Sequence, residues 1–261
     1  METHCCFNTS EQKVCSARIH VPLAKLCTMG CIYCNYINDK NITKEFRPGV
    51  SSAVISIAEI ENYLRHCFDS FPKTEVIGVS GPGEPFDNIQ ELSMLAEIIQ
   101  KKYPSKKLCV CTNGKNFSLF KEFAIKYKNV LHYITVTINT FDINKIMMLY
   151  ESIKTKQQAE ELLDNQLNII KFAVANQIKS KINTVFISKI NSGEVVKIFN
   201  DLRALGADCF NLMLQISSGN KQQIIENEEN INYLECIRDL KRLKIPITKQ
   251  CKMCRSDFCG Y

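Results

Sequence analysis

Cys27-Thr28-Met29-Gly30-Cys31-Ile32-Tyr33-Cys34 places three thiols within eight residues, with gaps of three and then two residues between them. With Gly30 at the turn, such a loop can fold back so that all three sulfurs face one small object. Thiolates are soft ligands that suit zinc and iron–sulfur clusters. A four-iron cluster normally takes four thiolates, and this run supplies three. One iron is then left without a protein sulfur, and an open metal position is where a metal site does chemistry. The competing readings are a zinc knuckle and an ordinary electron-transfer cluster. Zinc prefers paired C-x2-C arms, which a C-x3-C-x2-C run fits poorly.

The surplus of thiols points the same way. There are 14 cysteines among 261 residues. Disulfides are rare in the cytoplasm, so metal binding is their first reading there. A cytoplasmic location is expected, because Met1-Glu2-Thr3-His4-Cys5-Cys6 has neither the basic head nor the apolar stretch of a signal peptide. No apolar run reaches the ~18 residues that would span a bilayer, which argues against a membrane partner. The formal charge of +6 comes from scattered lysines. The Lys101-Lys102 and Lys106-Lys107 pairs flank one short loop, and no basic stripe interleaved with aromatics marks a nucleic-acid footprint.

The elements that must position the thiols follow from periodicity. Short β-like runs at 18–22, 75–80, 107–112, 132–139, 181–187 and 209–216 alternate with amphipathic helical patterns. Those patterns fall near 57–69, 89–103, 117–128, 157–177, 192–205 and 226–242, and Asp142 can cap a further short helix ending at Tyr150. Strands rich in Val, Ile and Thr alternating with helices predict βαβ units and a parallel sheet. Six such units, without two more, predict an open, partial (β/α)6 barrel. The chain reads as one domain over 1–261: a cysteine-bearing arm at 1–17, a barrel at 18–242 and a C-x2-C arm at 243–261.

In parallel α/β folds, ligands gather at the carboxyl ends of strands. Gly81-Pro82-Gly83-Glu84-Pro85 follows the second predicted strand. Its glycines allow close backbone approach, and its carbonyls and Glu84 can hold an ammonium group; otherwise it is only a turn. Asn113 ends the third strand, Asn139 the fourth, and Asn183 lies within the fifth. Each is equally readable as a ligand contact or as a plain turn or strand residue.

The C-x3-C-x2-C run with Tyr33 before its last cysteine resembles the radical S-adenosylmethionine (SAM) superfamily. There SAM chelates the open iron of a [4Fe-4S] cluster and is cleaved to a 5'-deoxyadenosyl radical. A closer resemblance is carried by Arg18-Ile19-His20-Val21-Pro22-Leu23-Ala24, Arg47-Pro48-Gly49-Val50, Gly81-Pro82-Gly83-Glu84-Pro85 and Leu108-Cys109-Val110-Cys111-Thr112-Asn113-Gly114. Thr135-Val136-Thr137-Ile138-Asn139 and Cys251-Lys252-Met253-Cys254-Arg255-Ser256-Asp257 extend it. In this order they look like the NifB family of nitrogenase cofactor assembly, in which two four-iron clusters are joined around a carbide taken from SAM.

The resemblance implies that Cys27, Cys31 and Cys34 hold the catalytic cluster, with Tyr33, Gly81, Gly83, Glu84, Asn113, Asn139 and Asn183 around SAM. It implies additional [4Fe-4S] substrate clusters, one held by Cys6, His20 and Cys109 and a second by Cys251 and Cys254, with Glu45 nearby. It further implies an electron donor, a separate carrier or assembly scaffold that receives the product, and a monomer. Outside that resemblance, His20 reads as a bonded core histidine, Cys109 as a small buried hydrophobe and Cys251/Cys254 as half a zinc site. Cys67, Cys209 and Cys236 are expected in the core; Cys5, Cys15, Cys111 and Cys259 have no assignment.

The chain also departs from the NifB pattern. The family has a cysteine in the loop before Arg-Pro-Gly, whereas Asn35 to Phe46 contains none and is slightly longer. The histidines expected shortly before Arg18 are absent, and Met213-Leu214 stands where the family has Met-Pro. The second substrate site is then short of a ligand unless Cys15, Cys259 or Glu45 substitutes. The alternatives are a NifB-like radical SAM enzyme acting on another substrate, or an iron–sulfur scaffold or carrier without radical chemistry.

Overall fold

The computed structural model describes Phe7 and residues 18–34, 54–79, 81–215 and 228–248. Six strands, β1 (Arg18–Val21), β2 (Val76–Val79), β3 (Lys107–Thr112), β4 (Leu131–Thr137), β5 (Lys179–Phe186) and β6 (Cys209–Leu214), lie side by side in chain order. Every neighbouring pair is parallel, and among the described strands none joins β6 back to β1. The sheet is the expected open, partial (β/α)6 barrel.

The crossovers are α1 (Ile57–Ser70), α2 (Ile89–Lys102), α3 (Phe117–Lys126), α4 (Ile143–Leu149), α5 (Lys156–Ala175), α6 (Ser188–Asn191), α7 (Val195–Ala204) and α8 (Glu228–Arg242). Their starts are written in the sequence. Ser56 and Glu59 form a capping box ahead of α1, Thr155 and Gln158 do the same for α5, and Asp142 accepts from the Asn144 and Lys145 amides to cap α4. Periodicity missed a 3-10 turn at Pro85–Asn88 and the one-turn α6, both too short to show a helical period. β5 begins at Lys179, earlier than the apolar alternation suggests, because Asp208 bonds both the Ser180 amide and the Lys179 ammonium. No described helix is long and apolar enough to cross a membrane.

The two faces of the sheet differ in chemistry. One carries Ile19, Val21, Ile77, Val79, Leu108, Val110, Ile134, Val136, Ile182, Phe210 and Leu212, all buried in a single core with the inner stripes of the helices. Strand residues alternate faces, so Arg18, His20, Cys109, Cys111, Thr135, Lys181, Asn183, Cys209 and Asn211 share the other, concave face. An outer layer that is apolar apart from Thr112, Ser180 and Thr184 thus leaves the barrel interior to hold polar and thiol side chains.

Candidate functional site

The cysteine loop is fixed by its backbone and not by its sulfurs. Gly30 makes the turn at φ +64°. On one side, Ile32 donates to the Leu149 carbonyl (3.0 Å), Glu151 to that of Gly30 (2.8 Å) and Ser152 to that of Met29 (3.2 Å), so the loop is sewn to the end of α4. Met29 is completely buried there with Ile146, Leu149 and Ile153. On the other side, the Asp87 carboxylate accepts from the Thr28 amide (2.7 Å) and hydroxyl (2.9 Å). Asn88 accepts from the Lys25 and Leu26 amides, both 3.1 Å, and donates to the Leu26 carbonyl at 2.9 Å. These clamps come from the 3-10 turn that follows Gly81–Pro85, which is why motifs far apart in sequence meet.

Gly83 is the contact point. Its amide and that of Glu84 donate to the carbonyls of Ala24 (2.9 Å) and Leu26 (2.8 Å). A Cβ at position 83 would lie 2.4 Å from the Leu26 carbonyl oxygen, so only glycine permits this approach. Glu84 turns inward and binds the end of β3, accepting from the Thr112 hydroxyl (2.6 Å), the Asn113 amide (2.7 Å) and the Phe86 amide (3.2 Å).

Burial raises the Glu84 carboxyl from 4.5 to about 7, outweighing those three hydrogen bonds. Between these values the folded chain holds a proton that the unfolded chain has released. The contribution of Glu84 to stability therefore falls as pH rises from 4.5 to about 7. We expect the stability difference between wild type and Glu84→Gln to shift across that window, to the disadvantage of the wild type, by about 3 kcal/mol. Denaturant melts at several pH values measure it, and a difference that does not change with pH would refute a titrating carboxyl.

Around Cys31 the polar groups form a closed network. The Tyr33 hydroxyl hydrogen-bonds the Cys31 sulfur. Asn139 donates from its amide to the hydroxyls of Tyr33 (2.7 Å) and Tyr150 (3.0 Å), and its carbonyl oxygen accepts from the Val185 amide at 2.8 Å. Burial pushes the Cys31 thiol up to about 12 and also raises Cys27, where the charges of Glu84 and Asp87 add to it. Both stay protonated until a metal displaces the proton.

Deeper in the barrel, His20 and Cys109 align across Gly78, about 10 Å apart over two strand spacings. Cys109 is fully buried in a cluster with Phe7, Val76, Tyr133 and Cys209, and the Phe7 ring lies 4.9 Å from that of Tyr133. The Cys109 thiol donates to Cys111, which holds Cys109 protonated and lowers Cys111; Arg18 and Lys181 lower Cys111 further.

The structure thus brings Cys27, Cys31, Cys34, Tyr33, Gly81, Gly83, Glu84 and Asn113 into one region at the carboxyl ends of β1 to β3. Asn139 stands behind it, saturated by its own hydrogen bonds. Asn183 lies on the concave face and accepts from Asn211 at 3.1 Å. Cys67, Cys209 and Cys236 are buried, as expected. Cys6, Glu45, Cys251 and Cys254 lie outside the described residues, as do Cys15 and Cys259. Sequence reasoning missed Asp87, Asn88, Tyr150, Gln166 and Asn191. For Asp87 and Asn88 a signal existed: two short polar side chains directly after Gly-Pro-Gly-Glu-Pro suit backbone capping. Gln166 donates to the carbonyls of Asn113 (2.9 Å) and Thr137 (3.0 Å) from α5, and Asn191 donates to those of Asn139 and Val185; nothing local reveals either.

The residues fit a cluster with a small polar ligand. Three thiols ring the loop, Cys27 exposed and Cys31 and Cys34 half-buried. Among the described residues no three His, Cys, Asp or Glu groups converge on one ion. Each iron of a multi-iron cube takes one protein sulfur. The Asn113 side-chain nitrogen is buried with no hydrogen-bond partner, a donor awaiting an acceptor.

Comparison with known proteins agrees with this geometry. The chain is 29% identical over 269 residues to the FeMo cofactor biosynthesis protein NifB of Chlorobaculum tepidum, covering 100% of this chain and 62% of that relative. It is 29% identical over 271 residues to the NifB of Methanocaldococcus jannaschii, covering 99% of this chain and 86% of that one. In structure it is similar to TYW1 with a lysine-pyruvate adduct bound (TM-score 0.53, 15% identity, 87% of this chain and 74% of that one), a likeness of fold. The radical SAM superfamily profile matches residues 21–202, and with a three-cysteine loop seated at the mouth of a six-stranded parallel half-barrel, the chain belongs to the radical SAM superfamily.

Proposed function

We propose that this chain is a radical SAM enzyme of nitrogenase cofactor biosynthesis that joins two [4Fe-4S] substrate clusters with a SAM-derived carbide into an eight-iron precursor. The observation that carries this reading is the chemistry of the concave face. Beside the cysteine loop it offers, among polar and cationic side chains, an imidazole (His20) and thiols (Cys109, Cys111 and Cys209) that can ligate iron. NifB relatives aligning over almost the whole chain support it.

When bound, the cluster of Cys27, Cys31 and Cys34 supplies an electron to SAM, and SAM supplies a methyl group and a 5'-deoxyadenosyl radical. The chain itself seats the cluster loop through Asp87, Asn88 and Gly83, and orders the strand ends through Glu84 and Gln166. Tyr33, held by Asn139, would donate to the Cys31 sulfur that binds the cluster. Asn113 and the Gly81–Glu84 backbone are the groups that would hold SAM, and Asn183 lines the way into the barrel. His20, Cys109 and Cys6 would hold one substrate cluster, and Cys251 and Cys254 with Glu45 the other, so that the whole chain acts as one domain with two ligand-bearing arms. A neutral imidazole binds more weakly than a thiolate and can let its cluster go. An electron donor and a receiving carrier or scaffold protein complete the reading, with the chain working as a cytoplasmic monomer.

Anaerobic reconstitution with iron and sulfide tests it. Three clusters predict about twelve irons per chain, fewer by one cluster in Cys251→Ala/Cys254→Ala, and label from methyl-labelled SAM entering the cluster product. Four irons, unchanged in the tail variant, with SAM still cleaved, would leave a radical SAM enzyme of another substrate. The absence of a cysteine between Asn35 and Phe46 favours that second reading.

A further inference from the structure

The turn after β3 carries one polar atom that its own hydrogen bonds leave over. The Asn113 backbone amide donates to Glu84, its side-chain oxygen accepts from the Lys115 amide (2.9 Å), and its carbonyl accepts from Gln166. Because Lys115 offers a donor, the atom facing it must be the oxygen, and the side-chain atom left over is a nitrogen. That nitrogen is buried and has no partner among the described residues. Asn113 continues the series Cys109, Cys111 on β3, whose side chains face the barrel interior.

What fixes this turn lies on another element. The ladder between β3 and β4 ends at Thr112 and Val136. Just beyond it, Gln166 on α5 donates to the carbonyls of both Asn113 (2.9 Å) and Thr137 (3.0 Å), joining the two chains where strand-to-strand bonding has stopped. Its neighbour Asn165 donates to the Lys115 carbonyl at 2.8 Å. Gln166 is only 2% exposed. The turn admits α5 this closely because Gly114 sits at φ +81°, where a Cβ would lie 2.6 Å from the Gln166 Cγ. Glu84 grips the same turn from the β2 side through Thr112 and Asn113. The backbone of 112–115 is thus held from both flanks, and the Asn113 side chain by its bond to Lys115. Fixing these torsions before a ligand arrives removes an ordering cost from binding.

Resting on the reading that Asn113 holds SAM, we infer that Gln166 and Asn165 are positioning residues for SAM, acting through Asn113. Gln166 uses both Nε2 hydrogens on carbonyls, so its effect on SAM passes through the turn it holds. The leftover Asn113 nitrogen is a donor alone, so it selects an acceptor atom of SAM and rejects a donor. Without Gln166 the Asn113 carbonyl is unbonded, its peptide plane is free to turn, and the direction of the side-chain amide is lost.

Binding of isotope-labelled SAM to the reconstituted, unreduced full chain tests this by equilibrium dialysis, without turnover and on samples of matched iron content. Asn113→Ala should weaken binding ~10-fold, the scale of one lost hydrogen bond. Gln166→Met, similar in size but without a donor, should weaken it by a similar factor. Combined in one chain, the two should bind SAM no worse than Asn113→Ala alone, because Gln166 acts through that side chain. Asn165→Ala releases a single carbonyl of the turn and keeps the test open if Gln166→Met folds poorly. It should weaken SAM binding in the wild-type chain and leave it unchanged beside Asn113→Ala. Equal losses in both backgrounds would show a general effect on the fold and overturn the assignment. A loss with Asn113→Ala and none with either helix variant overturns it alone. No loss with Asn113→Ala overturns it together with the placement of SAM at Asn113.

Discussion

Alanine at any one of Cys27, Cys31 or Cys34 is expected to reduce 5'-deoxyadenosine release from SAM to the level of the enzyme-free control. Reconstituted iron should fall by about four per chain. The fold should survive, because the loop is held by its backbone bonds to Leu149, Glu151 and Ser152 and by Asp87 and Asn88, none of which uses a sulfur. Cys27 is exposed, so its replacement should change stability by no more than about 0.5 kcal/mol, whereas Cys31 and Cys34 are half-buried and should cost about 1 kcal/mol. Product assay by chromatography and thermal melting by circular dichroism measure the two halves separately. SAM cleavage persisting in all three variants would place the radical chemistry elsewhere.

The second large effect is expected at Asn139, which touches no thiol. Alanine there strips an acceptor from the Val185 amide and a donor from the hydroxyls of Tyr33 and Tyr150, all in a buried pocket. Each group left unsatisfied costs about 1–3 kcal/mol, so the sum should reach about 3–5 kcal/mol. For a domain of this size that lowers Tm by about 10 °C. The freed Tyr33 hydroxyl no longer holds a fixed line to Cys31, so iron retention by the loop should weaken too. Asn139→Asp keeps the acceptor for Val185 and should recover part of the stability. A melt within a degree of wild type for Asn139→Ala would show the network to be dispensable.

These expectations separate what was legible from what was not. The three-cysteine loop was legible as a candidate cluster site because its residue type and short spacing are both local properties. The strands and helices were legible because an apolar outer sheet face and amphipathic helices repeat along the chain, with Ser56, Asp142 and Thr155 marking starts. In sequence Asn139 reads as a candidate contact to SAM; the structure shows its side chain occupied by Tyr33, Tyr150 and Val185. A strand-end amide looks the same in sequence whether it meets a ligand or two buried hydroxyls.

By itself the sequence determined the cluster loop, the alternation that yields a parallel half-barrel, and the glycine-rich segment that must lie beside the loop. Only the tertiary structure decided which side chains hold that loop, since Asp87 and Asn88 reach it from about sixty positions away. It alone set His20, Gly78 and Cys109 in one row and carried Arg18 across to Cys111. Register between parallel strands is set by the helices packed between them. The chemistry of the barrel interior therefore depends on residues whose meeting no local pattern encodes.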